Sequence, residues 1–228
     1  MVIDTETANT LKQPLTYDIG FLIADRKGHI IEEHSFLIYD IFIREKELME
    51  SAYYSDKILI YEDKLKTKQI ILKNFKTVNF LVKELIDKYK ITEIWAYNMR
   101  FDLNALNTTV RYLTKSKYRY FFPYGVELKC IWNIATDTIF KQKTFQSQAI
   151  KNGWYSNKKN VSTSAETGYK YITQNFDFVE SHTGLEDCKI EYEILLRCLK
   201  SHIKKDTSLN GLAWRKPQKQ FQERLKEF

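Results

Sequence analysis

The chain has 228 residues, of which 43% are hydrophobic and 29% charged, and its 36 Lys and Arg outnumber its 29 Asp and Glu, which gives a net charge of +7. Only 7 Gly and 3 Pro are present, which argues against linkers and low-complexity segments, and no apolar run approaches the length of a membrane span. We therefore expect a soluble, cytoplasmic protein without membrane attachment, whose basic balance favours a polyanionic partner.

Strands dominate the first part of the chain. A strand is predicted over residues 1–6, and the apolar run over 17–39 reads as two strands joined by a turn at 26–28. Residues 44–72 are charged and helical in character. From Val78 to Tyr89 the apolar residues follow helical spacing, which predicts an amphipathic helix.

Strands and helices alternate in the remainder. The patterns predict, in order, a strand over 92–98, a helix over 100–113, a strand over 118–125, a helix over 127–140, a short helix that starts near the capping box Thr163–Glu166, and a last helix over 185–203. Strands followed by strand–helix alternation predict an α/β protein with a mixed sheet flanked by helices.

The first strand carries two acids. In "VIDTETA", Asp4 and Glu6 are two residues apart, so both side chains point to the same face of a strand, roughly 7 Å apart. This arrangement is repulsive unless a positive charge lies between the two carboxylates. A solvated, frayed N-terminus would explain the same pair.

Two further motifs place acids at helix starts. In "AYNMRFDLNAL", Asp102 lies at the N-terminal end of the apolar face of its helix, where it acts either through the helix dipole or as a functional group. In "ESHTGLED", His182 precedes the last helix and Asp187 lies in its first turn. Taken alone, each of these residues also fits a capping or surface role.

Together, the three motifs resemble those of the DnaQ-type 3′→5′ exonucleases of the DEDDh class, which include polymerase proofreading subunits, RNase T and oligoribonuclease. "DTET" resembles the first exonuclease motif, "NMRFD" the second and "HTGLED" the third, and the resemblance spans residues 1 to about 200. The phrases "PLTYDIG", "KYRYFFPYG" and "ESHTGLED" are similar to versions encoded by phages and prophages of Gram-positive bacteria.

The resemblance implies an RNase H-like fold, with a mixed five-stranded sheet whose first three strands are antiparallel. It implies an exonuclease domain over residues 1–205, followed by a basic C-terminal tail over 206–228. It also implies two divalent cations, Mg²⁺ or Mn²⁺, held by the acids of the three motifs, Asp4, Glu6, Asp102 and Asp187. His182 would be the general base, and substrate contacts would come from Thr5, Asn98 and Phe101.

The expected activity is hydrolysis of phosphodiester bonds at single-stranded or frayed 3′ ends, with DNA favoured and nucleoside 5′-monophosphates released. Two alternatives stay open: an exoribonuclease similar to oligoribonuclease or RNase T, and a nucleic-acid-binding module without catalysis. A polymerase or recombination protein acting in trans is a further expected partner. For a phage-encoded protein, the compartment would be the cytoplasm of the bacterial host.

Three stretches stand apart from the family pattern or its motifs. Gly184 occupies a position where relatives commonly have Ala, which predicts a looser loop around His182. Residues 40–75 do not align with the best-known relatives and carry no assigned role. Residues 110–125 interleave basic and aromatic side chains, which fits either a surface for single-stranded nucleic acid or a solvated helix end.

Overall fold

A mixed sheet is formed by six strands within the part of the chain that the computed structural model describes, namely residues 1–25, 27–50, 52, 55–117, 119–209 and 211–227. The strands are β1 (Val2–Ala8), β2 (Leu15–Ala24), β3 (Ile30–Ile38), β4 (Ile71–Lys73), β5 (Glu93–Ala96) and β6 (Glu127–Cys130). Their order in the sheet is β4-β3-β2-β1-β5-β6.

The first three strands form an antiparallel meander, as the sequence predicts. β1 pairs with β2 and β2 with β3 in antiparallel register, whereas β5 lies parallel to β1 and β4 parallel to β3. Nearly every side chain of β2 is buried, which explains its continuous apolar run, because a strand covered on both faces has no need to alternate.

Helices occupy most of the remaining chain. They are α1 (Tyr39–Phe42), α2 (Lys46–Glu50), α3 (Ile58–Lys66), α4 (Phe75–Lys88), α5 (Met99–Thr114), α6 (Ile131–Ala135), α7 (Lys143–Lys151), α8 (Ala165–Thr173), α9 (Gly184–Leu199) and α10 (Gln218–Leu225). Short 3₁₀ turns at Ser55–Lys57 and Ala213–Arg215 precede α3 and α10, and a π-helical turn at Thr136–Phe140 extends α6. Among the described helices, none is both long enough and apolar enough to cross a lipid bilayer.

The chain divides into two compact units that interleave along the sequence. The first unit comprises Met1–Trp95, Phe101–Leu128 and Ser181–Cys188, and the second comprises Ala96–Arg100, Lys129–Glu180 and Lys189–Phe228. Tyr17 and Tyr61 meet edge-on in the core of the first unit, with ring centroids 5.7 Å apart. In the second unit Phe221 of α10 is fully buried, so the segment predicted as a basic tail contributes to a core.

Several sequence predictions need correction. Within the described residues the sheet has six strands rather than five, because Ile71–Lys73 adds a strand parallel to β3. Residues 119–125 form no strand, since Phe121 and Phe122 are buried without pairing, and the strand lies instead at Glu127–Cys130, where a helix start was predicted. Tyr118 and Arg26, which belonged to a predicted strand and a predicted turn, lie outside the described residues.

The start of α8 also differs from its prediction. The N-cap is Ser164, whose side chain accepts a hydrogen bond from the Thr167 N–H, rather than Thr163. The last long helix, α9, ends at Leu199 and not at residue 203.

Candidate metal centre

Glu6, His182 and Asp187 come together within the first unit. One ligand atom from each of these three side chains lies within 4.8 Å of the others. Glu6 is on β1, His182 lies just before α9, and Asp187 is in the first turn of α9, so residues from the two ends of the chain converge here. Glu6 and Asp187 are buried, with 9% and 5% of their surface exposed, and His182 is half-buried.

The backbone at His182 has a positive φ angle. Its φ is 53°, in the left-handed region, which costs a residue with a Cβ roughly 1–2 kcal/mol. Such conformations persist only where surrounding contacts fix them, and they cluster at functional sites. The conformation by itself does not set His182 apart, because six other non-glycine residues in the described part of the chain also have a positive φ; its position beside Glu6 and Asp187 does.

Asp102 is anchored directly to the first strand. Its Oδ1 accepts hydrogen bonds from the Thr5 backbone N–H at 3.1 Å and from the Thr5 hydroxyl at 2.9 Å. Burial raises the pKa of Asp102 to about 7, although the bonds from Thr5 and from its own backbone N–H oppose the rise. Thr5 thus holds Asp102 in place through both groups that could otherwise contact a substrate.

The electrostatics around Glu6 favour a cation. Burial, followed by the charges of Asp187 and Asp18, raises the pKa of Glu6 from an ordinary 4.5 to about 9. Lys57 acts in the opposite direction, and Asp102 adds a smaller increase. Carboxylates that repel one another in a low-dielectric site are stabilised in their ionised form by a positive charge.

This donor set fits a divalent metal. The two buried carboxylates supply oxygen ligands, which suit Mg²⁺ and Mn²⁺, whereas the imidazole of His182 is a ligand that Mg²⁺ does not favour and that suits metals such as Zn²⁺ or Fe²⁺. The cost of keeping the acids ionised without such an ion is evident in the raised pKa of Glu6. The two buried carboxylates therefore fit the divalent cations that the resemblance to the exonuclease motifs implies.

The other predicted residues do not belong to this group of three. Asp4 is half-buried on β1, two residues before Glu6, and is not one of the three converging side chains. Phe101 is half-buried at the start of α5 in the first unit. Asn98 is half-buried in the turn between β5 and α5 and belongs to the second unit.

Asp18 is a site residue that the sequence reasoning missed. It is fully buried on β2 opposite Glu6, and burial raises its pKa to about 6. Its Oδ2 accepts hydrogen bonds from the Tyr61 hydroxyl at 2.8 Å and the Gly184 N–H at 2.9 Å. The signal in the sequence was an acid in the middle of an otherwise apolar strand, "LTYDIGFLI".

Gly184 tightens its loop, contrary to the prediction from the family pattern. A Cβ added at Gly184 would lie 2.5 Å from the Gly20 nitrogen and 3.1 Å from the Asp18 Oδ1. A Cβ at Gly20 would lie 2.0 Å from the Gly184 carbonyl carbon. The absence of both side chains lets the start of α9 contact the β2 backbone, where the Cys188 thiol also donates to the Gly20 carbonyl at 3.1 Å.

Comparisons with known proteins add no relative. A scan against protein-family models gives no match, and a search of curated proteins finds no significant match. The resemblance to DEDDh exonucleases therefore remains a prediction based on the three sequence motifs.

Proposed function

We propose that the chain is a metal-dependent 3′→5′ exonuclease of RNase H-like fold that hydrolyses nucleic acid, with DNA favoured, to nucleoside 5′-monophosphates. The observation that carries the proposal is the convergence of Glu6, His182 and Asp187 within 4.8 Å, because these three residues come from the first and third sequence motifs. The antiparallel β1–β3 meander, followed by β5 parallel to β1, is compatible with the fold.

The acids of the three motifs would hold the cations. Glu6 and Asp187 are the buried pair, and Asp4 on the same strand and Asp102 bonded to Thr5 would complete the set. Divalent cations bound there supply Lewis-acid stabilisation of a phosphodiester and lower the pKa of coordinated water. DNA and RNA offer the same phosphodiester to such a centre, so the preference for DNA rests on the resemblance alone.

His182 would accept the proton of the attacking water. A neutral imidazole has one ring nitrogen with a lone pair, and its ordinary pKa near neutrality suits a general base. The carboxylate of Asp187 lies beside it and would stabilise the imidazolium that forms. The half-buried position of His182 leaves part of the ring accessible to water and substrate.

A basic and aromatic surface supports a nucleic-acid substrate. In the first unit Lys115, Lys117 and Arg119 are exposed. Tyr120 is 64% exposed and Tyr124 is fully exposed. Cations that hold phosphates, combined with aromatic rings that stack bases, bind single strands without reading their sequence. The exposure of these side chains is compatible with both interpretations of residues 110–125, and the proposal adopts the surface for single-stranded nucleic acid.

Digestion of end-labelled strands tests the proposal. Single-stranded DNA and RNA, labelled at either end, are incubated with the protein and Mg²⁺, Mn²⁺ or EDTA. We expect mononucleotides released from 3′ ends only when a metal is present. Glu6→Gln should lower the rate by at least about 100-fold, because the substitution removes a metal-binding carboxylate and keeps the volume of the side chain.

The matched control is Asp87→Asn, which removes an exposed acid paired with Lys90 on the surface and should leave the rate unchanged. Faster digestion of RNA than of DNA would favour the oligoribonuclease-like alternative. Binding of strands without metal-dependent cleavage of either polymer would contradict the proposal and favour a non-catalytic module.

A further inference from the structure

One face of α3 and of the 3₁₀ turn before it contacts the loop that carries His182. Lys57, Tyr61 and Lys64 are spaced i, i+4 and i+7, which places all three side chains on the same side of a helix. They belong to residues 40–75, the segment for which the sequence offered no role. Lys57 and Lys64 are half-buried and Tyr61 is 1% exposed, so this face is covered.

Each of the three side chains donates a hydrogen bond, either to a neighbour of His182 in the loop or to Asp18, which in turn holds Gly184. The Lys57 Nζ donates to the carbonyl oxygen of Ser181, the residue before His182. The Lys64 Nζ donates to the Thr183 hydroxyl at 3.3 Å, on the other side of His182. The Tyr61 hydroxyl donates to Asp18, whose carboxylate also accepts the Gly184 N–H.

The loop itself is tied into the start of α9. The Thr183 hydroxyl donates to Glu186 Oε2 at 2.6 Å, and Lys64 forms an ion pair with Glu186 Oε1 at 2.8 Å. Burial disfavours the charge of Glu186, but bonds from Lys64, Thr183 and Ser181 lower its pKa to about 2. Lys64 therefore contacts an ionised carboxylate and the residue that precedes α9 together, with only 17% of its side chain exposed.

We infer that Lys57, Tyr61 and Lys64 are positioning residues that hold His182 in its left-handed conformation beside Glu6 and Asp187. The tethers act on Ser181 and on Thr183, the two neighbours of His182, and so fix the backbone on both sides of a conformation that is unfavourable by itself. This inference rests on the proposed function only in giving His182 a catalytic task, because the tethers themselves are contacts of the folded chain.

The test combines kinetics with a signal from the histidine ring. The variants are Lys64→Met, which removes two contacts, and Tyr61→Phe, which removes one oxygen and keeps the packing. Lys64→Arg is the conservative variant, and Lys66→Met, an exposed lysine of the same helix, is the matched control. The His182 imidazole resonances of the metal-free protein are identified by their loss in His182→Ala.

We expect kcat on a single-stranded oligonucleotide to fall by about 10- to 100-fold in Lys64→Met and Tyr61→Phe, with KM nearly unchanged, because displaced supporting residues misplace the groups that act on the substrate. The His182 resonances should move or broaden in both variants and stay in place in Lys66→Met. Lys64→Arg should keep both readouts closer to those of the unmodified protein than Lys64→Met does, because its guanidinium can still donate to Glu186 and Thr183.

Two outcomes separate the inference from the proposed function. If kcat and the His182 resonances of Lys64→Met and Tyr61→Phe equal those of Lys66→Met, the positioning role is overturned. If the unmodified protein cleaves no nucleic acid, the exonuclease proposal fails, and displaced His182 resonances in the two variants would still support the positioning role.

Discussion

Two clusters of acids in this molecule differ in how much positive charge the neighbouring side chains supply. In the second unit Lys216 forms ion pairs with Asp206 at 2.9 Å and with Asp137 at 3.4 Å, and Lys141 pairs with Asp137 at 2.7 Å. Hydrogen bonds, first from Lys216 and then from Ser208, lower the pKa of Asp206 to about 2. Here lysine side chains of the chain itself pair with the acids.

At Glu6 the opposing effects outweigh the nearby positive charge. Burial and the neighbouring carboxylate of Asp187 outweigh the positive charge of Lys57, and the pKa of Glu6 rises to about 9. Acids that serve only the fold can be neutralised by lysines, as at Asp137 and Asp206. Under the proposed function, an external cation supplies the positive charge that favours the ionised form of Glu6.

The largest expected difference between the clusters is in catalysis. Asp187→Asn should lower the rate of strand cleavage by about 1,000-fold, which corresponds to about 4 kcal/mol of lost transition-state stabilisation at a metal centre. Asp206→Asn should keep the rate within about two-fold, because its carboxylate already has a lysine partner. Initial rates on a 3′-labelled oligonucleotide with Mn²⁺ measure both effects. Equal losses in the two variants would remove the distinction.

The second difference is in metal-dependent stability and its pH dependence. Folded, metal-free protein keeps a proton on Glu6 between the ordinary pKa of 4.5 and about 9, whereas the unfolded chain has lost it, so stability falls as pH rises through this window. Mn²⁺ competes with that proton. It should stabilise the protein by about 2.7 kcal/mol at 100 times its dissociation constant, and its apparent affinity should be higher near pH 8 than near pH 6.

Thermal unfolding with and without Mn²⁺ measures this effect. Glu6→Gln should lose both the metal stabilisation and its pH dependence, whereas Asp137→Asn should keep both. An unchanged response of Glu6→Gln to Mn²⁺ would mean that the ion binds elsewhere.

The smallest expected effect is on the stability that the Lys216 ion pairs contribute. Lys216→Met should lower the free energy of unfolding by about 1 kcal/mol near neutral pH, since the ion pairs are partly exposed and screened by solvent. The pKa of Asp206 is lowered, so its stabilising contribution is present above the ordinary value of 3.8 and is lost as pH falls toward about 2. Urea unfolding at several pH values checks this, and Mn²⁺ should not rescue the variant.

Local patterns of apolar residues were sufficient to predict the strands and helices in which those patterns are regular. The buried run of β2 and the helical spacing that starts at Val78 in α4 are both found where the sequence predicts them. The pattern failed at Phe121 and Phe122, because aromatic residues can be buried by a loop as well as by a strand. Here tertiary packing overrides local propensity.

The candidate centre was predictable only as far as its motifs extend. Glu6, His182 and Asp187 were identified because their residue types and order match a known pattern, and the structure brings them together. The contacts from α3 to the His182 loop join residues more than 100 positions apart, so no local pattern encodes them. The Thr183-x-x-Glu186 spacing, typical of a capping box, is a further sequence signal for the start of α9.

The close approach of Gly20 and Gly184 has a consequence for mutational scanning. A single methyl group at Gly20 would collide with the backbone at Gly184 and Leu185, with contacts of 2.0 Å, and would push the third motif away from β1 without changing any charge or ligand. An alanine scan scored by activity would therefore rank Gly20 with the acids, although a glycine has no side chain that could react. The loss of activity at Gly20 would report the close contact between the backbones of β2 and α9, and not a chemical role of the residue.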